Sequence, residues 1–258
     1  MPELPDVERF RRLAATHLVG STIEAVDVAD ASVLRNTNVR GIDSVLVGRE
    51  VAGVERRGKW LAMRVDEESV VVHFGMTGSL ALAGRGDVRR RSDRVVIVCG
   101  GGEVRYRDVR KLGGLWVARD AAEVVGVIGV QGPDASVVSL TELATRLAGR
   151  RGAIKPLLMD QRVVAGLGNM LSDEILWNAA IDPARRASTL SAEDVRQLRD
   201  SMREVTRRAV EAGRIPRTRS WLSSQRGEPD PVCPRCQGPI ERRTIAGRTS
   251  LWCPDCQH

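Results

Sequence analysis

Lysine is nearly absent from this chain of 258 residues: Lys59, Lys111 and Lys155 stand against thirty-seven arginines. Such a bias reflects a GC-rich genome, and a lysine surviving in it marks a place where a compact, titratable amine is needed rather than a guanidinium fork. Long apolar runs are missing too. None approaches the roughly 18 residues of a membrane span, and no basic stretch leads into an apolar core at the N-terminus. The expectation is a soluble, intracellular protein without a membrane partner. There is no internal repeat and no low-complexity segment, so the chain must build its own packed core, for which it is long enough.

Apolar residues at 42% and charged residues at 28% are those of ordinary globular material rather than a disordered chain. The net charge of +7 and a pI near 9.8 point to a polyanionic partner, and nucleic acid fits.

Only five cysteines are present, and in an intracellular chain they argue against a disulfide framework. Four of them, Cys233, Cys236, Cys253 and Cys256, form two C-x-x-C pairs separated by sixteen residues. Each pair offers two thiolates from one tight turn, and the spacer is long enough for a hairpin that closes the pairs around tetrahedral zinc. Four sulfurs leave no open coordination position, so one Zn2+ would fold the module and not catalyse. Cys99 reads as a buried strand residue.

At the other end of the chain stand Pro2 and Glu3. With Met1 removed, Pro2 presents a secondary amine, and α-amino groups titrate near neutrality at about 7.7 to 8.0. Such an amine attacks a sugar aldehyde carbon to give an iminium, an electron sink of the lysine Schiff-base kind. Glu3, next to it, is placed to move protons. An ordinary chain start is the alternative reading of these residues.

Pro5, Asp6 and Glu8 open a helix whose apolar face, Val7, Phe10, Leu13 and Ala14, ends before Gly20. Short β-type runs follow at residues 22–28, 59–65, 69–74 and 95–99, the last paired through Gly100–Gly102 with 104–107, which predicts a sandwich. After Gly132 the period becomes helical: 140–147, 154–164 interrupted early by Pro156, 170–180 and 192–212. Residues 129–136 are the expected linker. In Ala165-Gly166-Leu167-Gly168-Asn169 two glycines permit close backbone approach, and Asn169 suits the N-cap of the next helix, a start able to hold a phosphate, although an ordinary interhelical turn is the favoured reading of the motif taken alone. From Arg214 onward eight arginines face four acids. Among them Arg248, at the expected hairpin tip of the zinc ribbon, is placed for a backbone phosphate.

The segments 2–8 (PELPDVE), 57–61 (RGKWL), 73–80 (HFGMTGSL), 154–156 (IKP), 166–169 (GLGN) and the four-cysteine finger occur in the order found in formamidopyrimidine-DNA glycosylases. The chain resembles this family, within the superfamily shared with endonuclease VIII, over essentially its whole length. The resemblance implies an α+β protein: an N-terminal β-sandwich with a helix (1–128), a helix-two-turn-helix domain (137–213) and a zinc β-ribbon (228–258). It implies a bifunctional DNA glycosylase/AP lyase of base excision repair. Pro2 would attack C1′ of a damaged nucleotide, Glu3 would assist proton transfer, and Lys59 would lie beside the lesion and its phosphate. His73, Lys155, Asn169 and Arg248 match phosphate-gripping positions, and Met76, Arg110 and Leu112 match the residues that fill the space left by an everted base. The implied partner is double-stranded DNA carrying a damaged base or abasic site, bound by a monomer in the nucleoid of a bacterial cytoplasm.

Three positions differ from the formamidopyrimidine branch. Leu112 replaces a phenylalanine, Asp6 replaces a glutamate, and residues 213–233 are several residues shorter than the family segment whose loop covers an oxidised purine. Oxidised purines are the expected substrates. Oxidised pyrimidines, bulky alkylated bases and a non-catalytic lesion binder are the alternatives.

Overall fold

A computed structural model describes residues 1–258. Contacts divide it into two units, one of Met1–Pro2 with Asp6–Val130, the other of Glu3–Pro5 with Gln131–His258. No helix is long and apolar enough to cross a membrane.

In the first unit, α1 (Leu4–Leu18) precedes β1 (Ile23–Val28), α2 (Val39–Leu46), β2 (Gly53–Arg57), β3 (Trp60–Val65) and β4 (Glu68–His73). Then come β5 (Ser79–Gly84), β6 (Asp93–Cys99), β7 (Gly102–Arg107), β8 (Gly114–Ala118) and α3 (Ala121–Ile128). Two antiparallel sheets of four strands, ordered β1-β6-β7-β5 and β2-β3-β4-β8, form the expected sandwich. Strand alternation decides which side chains enter it. Leu61, Met63 and Val65 of β3 and Val70 and Val72 of β4 meet Val95, Ile97, Val104 and Tyr106 of the other sheet in one core. The alternate residues, Ala62 and Val71, face the opposite side, where Val124 and Ile128 of α3 cover them. These strands are apolar on both faces for that reason, and α3 was not anticipated. Nor were α2, β2, β5 and β8, whose sequences are short and mix glycine or arginine with apolar residues.

The second unit contains α4 (Leu140–Leu147), α5 (Ile154–Met159), α6 (Asn169–Asn178) and α7 (Ala192–Glu211), followed by the ribbon strands β9 (Glu241–Ile245) and β10 (Arg248–Trp252). Capping boxes start two of the helices, Ser139 with Glu142 for α4 and Ser191 with Asp194 for α7. Two expectations are corrected. The helix expected over 154–164 ends at Met159, because Asp160 leaves the helix and its carboxylate accepts the N–H of Arg162. Pro156 does not interrupt it, since it sits in the first turn, where its missing N–H has no helical partner. In α6 the N-cap is Gly168 and not Asn169, which is the first helical residue.

Candidate active site and nucleic-acid interface

In the second unit the start of α6 is taken by a side chain and not left open for a phosphate, as the sequence had suggested. The Glu3 carboxylate accepts the N–H groups of Gly168 (2.9 Å), Met170 (2.9 Å) and Leu171 (3.1 Å). It is 2% exposed, and the positive end of the helix faces it. Both glycines of the turn are required by close approach. A Cβ at Gly168 would lie 2.4 Å from the Glu3 carboxyl carbon, and one at Gly166, whose φ is +101°, would lie 2.6 Å from the Leu4 side chain. The Leu4 N–H donates to the Gly166 carbonyl at 3.0 Å, so residues 3 and 4 are held by backbone on both sides. Pro2, half-buried, is one peptide bond from this clamp.

Lys155, Asn169 and Arg248 converge on β10. The Lys155 ammonium reaches the Asp173 carboxylate (2.6 Å), the Ser250 hydroxyl (2.6 Å) and the Thr249 carbonyl (3.2 Å). Those contacts use its three donors. Lys155 is 1% exposed, so it grips no phosphate in this arrangement and instead supports the strand that begins with Arg248. Burial pushes its ammonium below the ordinary lysine range, against the pull of Asp173, and pushes the Asp173 carboxyl up, against Lys155 and Arg226. The Asn169 amide also donates to the Thr249 carbonyl, at 3.1 Å. Arg248 itself is exposed at the hairpin turn.

Asp173 and its neighbour Glu174 escaped the sequence reading, although two acids inside the apolar run Met170–Trp177 were the signal. Glu174 accepts the N–H groups of Leu222 (3.1 Å) and Ser223 (2.9 Å), anchoring a 3-10 helix, Leu222–Gly227, within the shortened segment. Burial raises its pKa to about 7, the two N–H bonds opposing. The folded state therefore holds this proton more tightly than the unfolded chain, and its contribution to stability declines as pH rises from about 4.5 to 7. The decline has a ceiling on the order of 3 kcal/mol. The thermal midpoint of this unit should fall between pH 5 and 8, and the fall should flatten in Glu174→Gln; an unchanged slope in the variant would assign the effect elsewhere.

The four cysteine sulfurs lie within 4.8 Å of one another, with Cys233 to Cys256 at 3.9 Å and Cys236 to Cys253 at 3.5 Å. Tetrahedral zinc with bonds of about 2.3 Å needs sulfurs about 3.8 Å apart. The N–H groups of Arg235 and Gly238 and the Trp177 indole point at sulfur at 3.4 Å, as thiolates require. The set fits one structural zinc, whose ribbon shares a core with Trp177 and Leu222.

The remaining candidates lie in the first unit. Gly58 and Lys59 form the turn between β2 and β3. Arg56 fixes that turn by donating to the Gly58 carbonyl (3.0 Å) and to Glu8 (3.2 Å). Although burial works to raise it, Arg11, Arg12 and Arg56 hold the Glu8 carboxyl below its usual range. His73 ends β4 and packs on Trp60, with ring centroids 4.5 Å apart. The Gly75 N–H donates to His73 Nδ1 at 3.2 Å, so the neutral ring carries its proton on Nε2. Burial, reinforced by the nearby charge of Lys59, lowers the His73 pKa. A neutral ring with a free Nε2–H next to an ammonium suits a phosphate oxygen.

Met76, Arg110 and Leu112 are brought together by two interlocked loops. The Arg110 guanidinium touches Met76 Sδ at 3.3 Å, while Met76 and Leu112 remain 40% and 51% exposed. Asp108, missed in the sequence, organises them. Its fully buried carboxylate accepts the Thr77 hydroxyl (2.6 Å) and the N–H groups of Arg110 (3.1 Å) and Gly113 (2.9 Å). The signal available was one acid in a turn between arginines 107 and 110. A Cβ at Gly75, whose φ is +54°, would meet the Gly113 nitrogen at 2.4 Å, so the loops can approach only through glycine.

A carboxylate clamped by backbone N–H groups next to Pro2, a His beside a Lys, apolar side chains held out on loops and a tetrathiolate ribbon are features of a DNA glycosylase. Family models described as the formamidopyrimidine-DNA glycosylase N-terminal domain and H2TH domain match residues 1–115 and 130–220. A formamidopyrimidine-DNA glycosylase of Geobacillus kaustophilus is 35% identical over 277 residues, covering all of both chains. Among solved structures, the Lactococcus lactis Fpg (MutM) in complex with DNA containing N7-benzyl-Fapy-dG superposes with a TM-score of 0.89 at 30% identity, covering 99% of each chain. The same protein bound non-covalently to DNA with an AP site gives 0.88 at 28% identity, again over 99% of each. The chain belongs to the formamidopyrimidine-DNA glycosylase family.

Proposed function

We propose that the protein excises a modified base from duplex DNA through an imine on Pro2 and then cleaves the strand. The observation that carries this reading is the Glu3 clamp: three backbone N–H groups fix a carboxylate one residue from the Pro2 nitrogen. Once Met1 is removed, the Pro2 amine attacks C1′. The N–C1′ bond forms as the glycosidic bond breaks, and the base leaves with a proton. Glu3, held on α6, relays protons at the sugar. Loss of the amine proton and opening of the sugar give the iminium, which acidifies C2′–H. Removal of that proton expels the 3′ phosphate, and a second elimination releases the 5′ phosphate. Lys59 and the Nε2–H of His73 hold the phosphate, while Met76, Arg110 and Leu112 occupy the vacated stack. Arg248 contacts the strand from a ribbon braced by Lys155 and Asn169.

Relatives solved with formamidopyrimidine, oxidised pyrimidine and carbocyclic 8-oxo-G DNA support a damaged base as the target. Oxidised purines are the leading class, and the protein would work on DNA in the bacterial cytoplasm. Borohydride reduction on a duplex with one abasic site tests the chemistry. The native protein should form a covalent adduct that is lost in Pro2→Gly, and a panel of single-lesion duplexes then identifies the base. An adduct that survives the substitution unchanged would move the imine to another amine and sink the role of Pro2, whereas no adduct at all would leave a non-catalytic lesion binder.

A further inference from the structure

The largest fully buried side chain in the protein is an arginine that takes no part in the proposed reaction. Arg105, at the middle of β7, is 1% exposed and pairs with Glu103 (2.6 Å) and Asp93 (3.2 Å). Its remaining donors reach the carbonyls of Asp87 (2.8 Å) and Val88 (3.1 Å), two residues of the connection between β5 and β6. A buried charge network is an expensive way to hold a surface loop.

Sheet register shows where that loop goes. Strands β5 and β6 both pair antiparallel with β7, which lies between them, so they run parallel to each other. Gly84 and Cys99 both face Gly102 at one end of the sheet, and Ser79 and Asp93 both face Arg107 at the other. Residues 85–92 must therefore cross back along the sheet, over Arg105, to the end that carries Asp108 and Arg110. Arrival there is fixed by backbone. The Asp108 N–H donates to the Ser92 carbonyl (3.0 Å), and the Asp93 carboxylate and N–H bond the Arg90 N–H (3.1 Å) and carbonyl (2.9 Å).

On its outer side this crossover displays Val88, 92% exposed, followed by three arginines. Arg89 is neutralised by Asp27, and Arg85 by Glu24. Arg90 and Arg91 are exposed and their guanidiniums have no acidic partner, while the acids of the segment are engaged: Asp87 by the Gly84 N–H and Asp93 by Arg105 and Arg107. The result is an unneutralised pair of guanidiniums on a braced crossover, at the same sheet end as Met76 and Arg110.

We infer that Arg90 and Arg91 are a second, sequence-independent phosphate clamp, extending the duplex contact beyond the lesion. This rests on the proposed function only for the identity of the polyanion. Each phosphate neutralised on duplex DNA contributes about −0.9 to the slope of log affinity against log salt.

The test is that slope for the full-length protein on a lesion-free duplex. Arg90→Ala/Arg91→Ala should make it shallower by about 1.8, from two contacts, and Arg90→Lys/Arg91→Lys should restore it. Covalent trapping on an abasic duplex at low salt should persist in both. An unchanged slope in the alanine variant overturns the clamp, and so does an equal loss in the lysine variant, which would mark a change of shape and not of charge. Failure of the native protein to trap would instead count against the glycosylase reading and leave the slope result standing.

Discussion

Glu3→Gln should lower base excision by about two to four orders of magnitude, the usual contribution of a positioned proton-transfer group. Glutamine keeps the shape of the side chain but offers one acceptor oxygen where the α6 start presents three N–H groups. It also turns an NH2 toward donors. At least one buried N–H is then left without a partner, at a cost of about 1–3 kcal/mol. The variant should thus melt earlier and still bind an abasic duplex. Glu3→Asp separates the two effects, since it keeps the charge but withdraws the carboxylate by one methylene from donors that cannot follow. Excision rates on a single-lesion duplex, alongside thermal melting, check this. A glutamine variant with the native rate would reduce Glu3 to a helix cap.

Zinc removal should abolish duplex binding while leaving the sandwich folded. Structural zinc in small ribbons supplies roughly 10–16 kcal/mol of folding free energy. The loss would spread through contacts that begin at the metal site. Trp177 of α6 donates to Cys233 and packs in the ribbon core, Asp173 accepts the Leu251 N–H, and Lys155 holds Ser250 and Thr249. Arg248 would lose its support. In the first unit the core of β3, β4, β6 and β7 contains none of these residues. Hydrogen exchange after chelation should show β9 and β10 unprotected and β4 and β7 still protected. Full affinity after all four thiolate ligands are lost would contradict the role given to the ribbon.

What could be read from the sequence follows the range of the interactions involved. The sandwich strands β3, β4, β6 and β7 announced themselves by apolar runs and glycine turns, and the cysteine spacing encoded a local geometry that the sulfurs adopt. Helix α3 did not, because its purpose is to cover Ala62 and Val71, which are distant in the chain. The same limit explains the acids. Asp108 and Glu174 act on backbone N–H groups, and no residue type identifies a future N–H donor. Lys155 illustrates the converse error: its rarity marked it as important, but its ammonium turns inward to brace β10. The start of α6 was legible as an anion site, and its anion proved to be Glu3, 165 residues earlier in the chain.

That pairing changes how variation in this protein should be interpreted. Gly168 carries no functional group, yet any side chain there would press on the Glu3 carboxyl carbon from 2.4 Å. A substitution at Gly168 would therefore behave genetically as an allele of Glu3, pushing the carboxylate off its N–H donors as a change at position 3 itself would. A survey of inactivating changes should find the two positions in one functional group, although one stands at the end of the chain and the other in the middle of it.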